Sequence, residues 1–257
     1  MRIAIFSDTH GNSIALDAVL ADVASVGGVD ATWFLGDAAP IGFDPVGTVQ
    51  RLMSLPDLVA VHGNGDRRIA TDPVVVRARI EGMIAAEPDE AAAWRSILRE
   101  SEWVRDGLKA AGAYDWLARL PLEQRLTLPD GTSVLLVHAS PGTDQGSGIP
   151  RGTPDDALSA HLREADADLL LVGHTHQVVD RIVEGGRVVN PGSVSNPPEG
   201  GSTAHWVLLE ATATGYVLTH RTVEWGLDAM LDRLAASGHP DPSHIVAFWS
   251  GHPEGSG

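Results

Sequence analysis

Cysteine is absent from the 257 residues. That excludes a disulfide framework, a thiolate nucleophile and any cysteine-ligated zinc, and leaves Asp, Glu, His and Asn as the only donors for a bound metal. No apolar run is long enough to span a membrane. The opening segment, Met1-Arg2-Ile3-Ala4-Ile5-Phe6-Ser7-Asp8, has too short an apolar stretch for a secretory leader and meets an acid where that stretch would continue. A cytoplasmic location with no membrane partner is therefore expected. Positive charge is also scarce: 18 Lys and Arg face 34 Asp and Glu, a formal net charge of −16. Such a surface repels the backbone of long nucleic acids, which argues against polymeric DNA or RNA as the main ligand.

What is present suits an α/β protein. With 43% hydrophobic residues the chain can fill a real core, and one domain spanning 1–257 is expected. Arg2 to Phe6 reads as a buried strand that ends in a polar loop, after which Ile14, Leu16, Val19, Leu20 and Val23 recur at helical spacing. The pattern returns where Ala31 to Leu35 leads into Gly36-Asp37, and where Leu58 to Val61 leads into His62-Gly63-Asn64-Gly65-Asp66. Open α/β sheets collect ligands at such carboxyl ends. From about 69 to 120 the chain becomes rich in Ala, Glu and Arg and reads as a helical insertion, with Trp94, Trp103 and Trp116 as packing anchors. Arg125 to Leu128 and Ser133 to Val137 flank the turn Pro129-Asp130-Gly131 and predict a hairpin that delivers His138. Gly142 to Thr153 reads as a mobile loop and Asp155 to Glu164 as a helix. The strand Leu169 to Val172 then opens into Gly173-His174-Thr175-His176. Four alternating segments follow, then a helix near 228–236 and a Pro-rich tail, about 238–257, expected to be loosely held.

Each polar cluster has a modest reading of its own. Asp8 can cap the next helix, Asn64 can form a turn and His138 can be a satisfied core histidine. Asp8 and His10 can also clasp one cation, since alternate side chains at a strand end face one side. A carboxylate at Asp37 can lie between two cations, and His174 and His176, one residue apart, can address two ions. Five such clusters at five successive strand ends favour a metal site.

In this order the clusters resemble the signature of the calcineurin-like metallophosphoesterase superfamily: Asp8-Thr9-His10, Gly36-Asp37, Gly63-Asn64-Gly65-Asp66, His138 and Gly173-His174-Thr175-His176. Asn190-Pro191-Gly192-Ser193 is similar to a segment of its small prokaryotic phosphodiesterase branch, without the Arg that often follows. The resemblance implies a four-layer α-β-β-α sandwich. It also implies two divalent metal ions, with Asp8, His10 and His176 on one, Asn64, His138 and His174 on the other, and Asp37 bridging. Manganese or iron is expected, and zinc, nickel or cobalt would suit the same donors. Two dications would offset the negative surface where a phosphate binds and turn a bridging water into a hydroxide nucleophile.

Many relatives carry a histidine that helps protonate the leaving oxygen, at the position of Gly65 here. Without it, good leaving groups are expected, since general acid help is worth about 10²- to 10⁴-fold. A phosphodiesterase or pyrophosphatase on small nucleotides fits, and a phosphomonoesterase or a non-catalytic scaffold are the alternatives. Asp37, Asn64 and His138 would serve catalysis. His62, Asp66, Arg67 or Arg68 are candidate replacements for the missing donor, Arg67 and Arg68 also candidate phosphate contacts, and Asn12 either a phosphate donor or a helix cap.

Overall fold

The computed structural model describes residues 1–249. Its strands form two mixed five-stranded sheets. Sheet one is ordered β10-β9-β1-β2-β3 and consists of β1 (Arg2–Phe6), β2 (Ala31–Phe34), β3 (Leu58–Ala60), β9 (Thr203–Thr212) and β10 (Gly215–Glu224). Sheet two is ordered β4-β5-β6-β8-β7 and consists of β4 (Glu123–Thr127), β5 (Ser133–Val137), β6 (Leu169–Leu171), β7 (Val179–Val183) and β8 (Gly186–Asn190).

Period-two alternation on strands buried on both faces explains the layering. On β1, Ile3 and Ile5 pack between the sheets, while Ala4 and Phe6 face the helices of the first outer layer. On β5, Val134 and Leu136 point between the sheets, and Leu135 and Val137 face the opposite helical layer. Three apolar interfaces therefore separate four layers, α-β-β-α. The outer layer on sheet one includes α1 (Ser13–Ser25), α2 (Pro45–Met53) and the insertion, and the layer on sheet two is α7 (Asp155–Ala165).

The expected insertion is helical: α3 (Asn64–Ala70), α4 (Pro73–Ala86), a 3₁₀ turn (Pro88–Glu90), α5 (Ala91–Ala110) and α6 (Tyr114–Ala118). Trp103 and Trp116 pack against the core beneath it, as anchors should. The tail differs from expectation. After α8 (Leu227–Ala236), α9 (Pro242–Trp249) buries Ile245 and Trp249 against a cluster that contains Phe43 and Trp225. Asp241 caps this attachment by accepting from Ser96 and Arg99 of α5. The composition suggested looseness, but two large apolar side chains at helical spacing dock the segment. Residues 250–257 of the expected tail lie outside the described residues.

Parallel pairing puts the functional ends level. Phe6 pairs with Phe34 and Phe34 with Ala60, so the loops after β1, β2 and β3 leave sheet one side by side. Leu136 pairs with Leu171, which does the same for the loops after β5 and β6 in sheet two.

Candidate metal centre

The two sets of strand ends meet at Gly173. A Cβ there would lie 2.0 Å from Ser7 Oγ and 3.0 Å from Asp8 Oδ2, so only glycine lets the loop after β6 approach the loop after β1. The Gly173 N–H donates to the His138 carbonyl at 2.7 Å, and the His174 N–H donates to Asp8 Oδ2 at 3.2 Å. Asn190 braces the same turn. Its Nδ2 donates to the Gly173 carbonyl at 2.6 Å, while Ser193 Oγ donates to the Asp8 carbonyl at 3.0 Å. The Asn-Pro-Gly-Ser segment thus holds both sheets' loops in place, whether or not it touches substrate.

All seven sequence-predicted ligands come together. Asp8 Oδ1 lies 3.3 Å from His176 Nε2, 3.7 Å from His10 Nε2 and 4.0 Å from His138 Nε2. Asp37 Oδ2 sits between His138 Nε2 at 3.7 Å and His10 Nε2 at 4.0 Å. Asn64 Oδ1 is 3.2 Å from His174 Nδ1, and the His174 ring packs edge-on to His138 with centroids 5.1 Å apart. Two sets of donors lie close enough to share an ion: Asp8, His10 and His176, and Asp8, Asp37 and His138. Asp8 therefore belongs to both sets, where the resemblance assigned it to one.

The backbone that aims these groups is not strand. Asp8 and His10 lie beyond the end of β1, with φ of 58° and 44°, so left-handed turns rather than strand alternation bring them to one side. Asp37, His174 and His176 share this conformation, at 58°, 67° and 58°. Of the eight non-glycine residues with positive φ among those described, five are in this cluster. Each such residue costs on the order of 1–3 kcal/mol, and strain of that kind gathers at functional sites.

The four histidines share a second feature. His10 Nδ1 lies 3.1 Å from the Pro40 carbonyl, His138 Nδ1 2.7 Å from that of Leu35, His174 Nε2 2.7 Å from that of Gly146, and His176 Nδ1 3.1 Å from that of Asn196. A carbonyl oxygen only accepts, so each contact fixes the ring's N–H there and leaves the other nitrogen its lone pair, which faces the carboxylates in His10, His138 and His176 and the Asn64 Oδ1 in His174. Metal-ligating histidines are held this way. Asp8 Oδ1 and His138 Nε2 are buried without a hydrogen-bond partner among the described residues. Two orphaned polar atoms facing each other is what a set of donors built around a cation would show.

Electrostatics agree. Burial pushes the Asp8 and Asp37 carboxyls up, but the neighbouring imidazoles outweigh it, so both are held below the usual range. Burial drives His10 down to about 4 and lowers His174 as well. Ionised carboxylates and neutral imidazoles are the forms that bind metal. His138 runs the other way: burial lowers it, but Asp37 and Asp8 outweigh that and raise it, because both carboxylates favour the charged imidazole.

The residues around the ligands divide. Asn12 is the cap of α1: its Oδ1 accepts from Ala15 N at 3.0 Å and its Nδ2 lies 3.4 Å from Ser195 Oγ, so the cap reading is the one observed. Arg67 is drawn to the loop after β5, where its Nε donates to Asp144 and its Nη2 to Gln145 at 2.8 Å. His62 Nδ1 lies 3.2 Å from Asp144 as well. Asp144 and the Gly146 carbonyl thus anchor the segment expected to be mobile. Asp66 accepts from the N–H groups of Gly63, Ala38 and Ala39. Arg68 donates from Nε to Ser101 of α5 at 3.0 Å, and its charge reaches Asp37. The space beside Gly65 is filled: a Cβ there would lie 2.4 Å from Pro40 Cγ. Of this outer ring Asp144, Gln145 and Ser101 carried no sequence signal, whereas Asn190 and Ser193 had their Asn-Pro-Gly-Ser motif.

Two solved structures resemble this one over nearly its whole length. A hypothetical protein from Pyrococcus horikoshii OT3 aligns with a TM-score of 0.81 at 20% identity, covering 98% of each chain. A metallophosphoesterase from Sphaerobacter thermophilus aligns with a TM-score of 0.71 at 25% identity, covering 98% of this chain and 100% of its own. No curated protein matches. The model of the calcineurin-like phosphoesterase superfamily domain matches residues 1–214, a span that contains every donor described above. The chain belongs to that superfamily and is a metal-dependent phosphoesterase.

Proposed function

We propose that this phosphoesterase uses two divalent cations to hydrolyse phosphodiesters or phosphoanhydrides of small nucleotides, such as dinucleoside polyphosphates, cyclic nucleotides or activated diesters. The observation that carries the metal assignment is the set of four imidazoles, each tied at one nitrogen to a backbone carbonyl. Asp8, His10 and His176 would hold one ion, Asn64, His138 and His174 the other, with Asp37 reaching both. When bound, the ions lower the pKa of a water and neutralise phosphoryl charge. Manganese or iron is our assignment, and zinc, nickel and cobalt suit the same donors.

The choice of substrate rests on what surrounds Gly65. Asp66, committed to three backbone N–H groups, is not free to protonate a leaving oxygen, and His62 engages Asp144 through Nδ1. A leaving group that departs as a stable anion, a phosphate, nucleotide or aryl oxide, needs no such donor. Arg68 is the better of the two arginines for a phosphate contact, because Arg67 is already paired through its Nε and Nη2. Asn12 contributes by capping α1 behind the ligand loop.

A panel of dinucleoside polyphosphates, cyclic nucleotides, aryl diesters and alkyl monoesters, assayed with manganese, tests the reading. Turnover confined to simple monoesters would make the protein a phosphomonoesterase. Purified protein with no bound metal and no hydrolysis would make it a scaffold, although the complete donor set argues otherwise.

A further inference from the structure

The chemistry above leaves one enclosed acid in the helical insertion unused. Glu100, on α5, is 1% exposed. Its Oε1 accepts from the backbone N–H of Ile41, and its Oε2 is buried with no hydrogen-bond partner among the described residues. Burial pushes this carboxyl up to about 6, against the pull of the Arg68 charge and the Ile41 N–H. A carboxyl group is costly to bury and partly satisfy, and its presence calls for a physical reason.

What Glu100 grips is a strained loop. Ile41 has φ of 65°, an outlier for a β-branched residue. The residue before it serves the metal centre in two ways. The Pro40 carbonyl fixes His10 Nδ1 at 3.1 Å, which turns His10 Nε2 toward Asp8 and Asp37. The Pro40 ring also occupies the space beside Gly65. Asp66 ties the near end of the loop through Ala38 and Ala39, so Ile41 is where its far end needs holding.

We propose that Glu100 is a positioning residue for the metal centre: by accepting the Ile41 N–H it locks the left-handed turn that aims the Pro40 carbonyl at His10. The inference rests on the reading of the cluster as a metal site. It makes the insertion part of the site's machinery, joined to His10 by two hydrogen bonds made from opposite sides of the Pro40–Ile41 peptide group. Glu100 acts through this loop and not on substrate, since its side chain is closed to solvent and Oε1 is committed.

Titration of metal-stripped protein with Mn²⁺ by calorimetry tests this without turnover. Glu100→Gln, whose amide oxygen still accepts from Ile41, is expected to bind within about threefold of the unaltered chain. Glu100→Ala is expected to lose about 10- to 100-fold in at least one binding step. Adding Ile41→Gly to Glu100→Ala should regain most of that loss, because glycine reaches a positive φ without the strain that the clamp offsets at Ile41. The double variant also carries the test should Glu100→Ala alone fail to fold. Undiminished affinity in Glu100→Ala overturns the proposal, as does an equal loss in Glu100→Gln or a double variant that stays weak. Failure of the metal reading looks different: the unaltered chain itself would bind no manganese.

Discussion

The metal centre and the docked C-terminal helices put burial to opposite uses. At the strand ends, Asp8, His10, Asp37 and His138 are all buried, and three of these four lie in left-handed backbone conformations. At the other site, Met230, Leu234, Ile245 and Trp249 are buried from regular helices against Phe43 and Trp225. The first arrangement costs free energy through desolvation and strain, and the second supplies it through apolar contact. The contrast teaches that the site is held rather than self-sustaining. Carbonyls of Pro40, Leu35, Gly146 and Asn196 orient its rings, and their loops are fixed by packing elsewhere.

The sharpest way to break the comparison is at the shared carboxylate. Asp37→Asn is expected to lower manganese-dependent hydrolysis of an aryl diester by more than the roughly hundredfold that loss of an outer-shell partner costs. Metal content measured by mass spectrometry should fall with it, and unaltered turnover would remove Asp37 from the site.

On the apolar side, Ile245→Ala should cost about 2–4 kcal/mol by denaturant unfolding, because Ile245 is fully buried. Its manganese stoichiometry should stay that of the unaltered chain. A loss of metal binding of the same size would show that the two regions are not separable.

Restoring the missing histidine tests whether Gly65 is a simple deletion of function. Since Pro40 Cγ stands 2.4 Å from the would-be Cβ, Gly65→His is expected to destabilise the fold by about 1–3 kcal/mol and to give no gain on alkyl monoesters. A rise in monoester turnover without loss of melting temperature would refute this.

The smallest effect concerns pH. Burial lowers His239, packed on Trp103, from its ordinary value to about 4. The unfolded chain therefore takes up that proton first, at about pH 6.5, and the folded chain only near 4. The stability tied to neutral His239 is complete above about 6.5 and drains away as pH falls toward 4, by about 1–2 kcal/mol between pH 7 and 5. His239→Gln should flatten that part of the melting-temperature curve, and a curve of unchanged slope would count against the argument.

Much of the site was legible because its determinants are local. A strand of alternating apolar residues followed by a polar cluster is visible at Phe6-Ser7-Asp8 or Leu171-Val172-Gly173-His174 without any partner in view. The order of donors along the chain then named the chemistry. Three things were not legible. Positive φ at Asp8 and His10 is only weakly signalled by those residue types, which tolerate it better than most yet adopt it at few positions, so strand alternation gave the right convergence for the wrong reason. Pro40 as the filler beside Gly65 depends on a loop whose path no periodicity describes. The docking of α9 depends on a groove formed with Trp225 and with Phe43, the latter far away in sequence, whereas the local composition, rich in Pro, argued for a loose tail.

The amino-acid sequence alone determined which donors exist, that none is a thiolate, and that they fall at the ends of five strands, because these properties follow from residue type and short-range pattern. Tertiary structure decided which ring nitrogen each histidine turns to the centre, which of the two adjacent arginines is already paired, and that Glu100 lies against Ile41 across 59 residues of chain. Those outcomes depend on two sheets closing at Gly173 and on an insertion folding over one of them, and long-range contacts of that kind leave no trace in the spacing of residues.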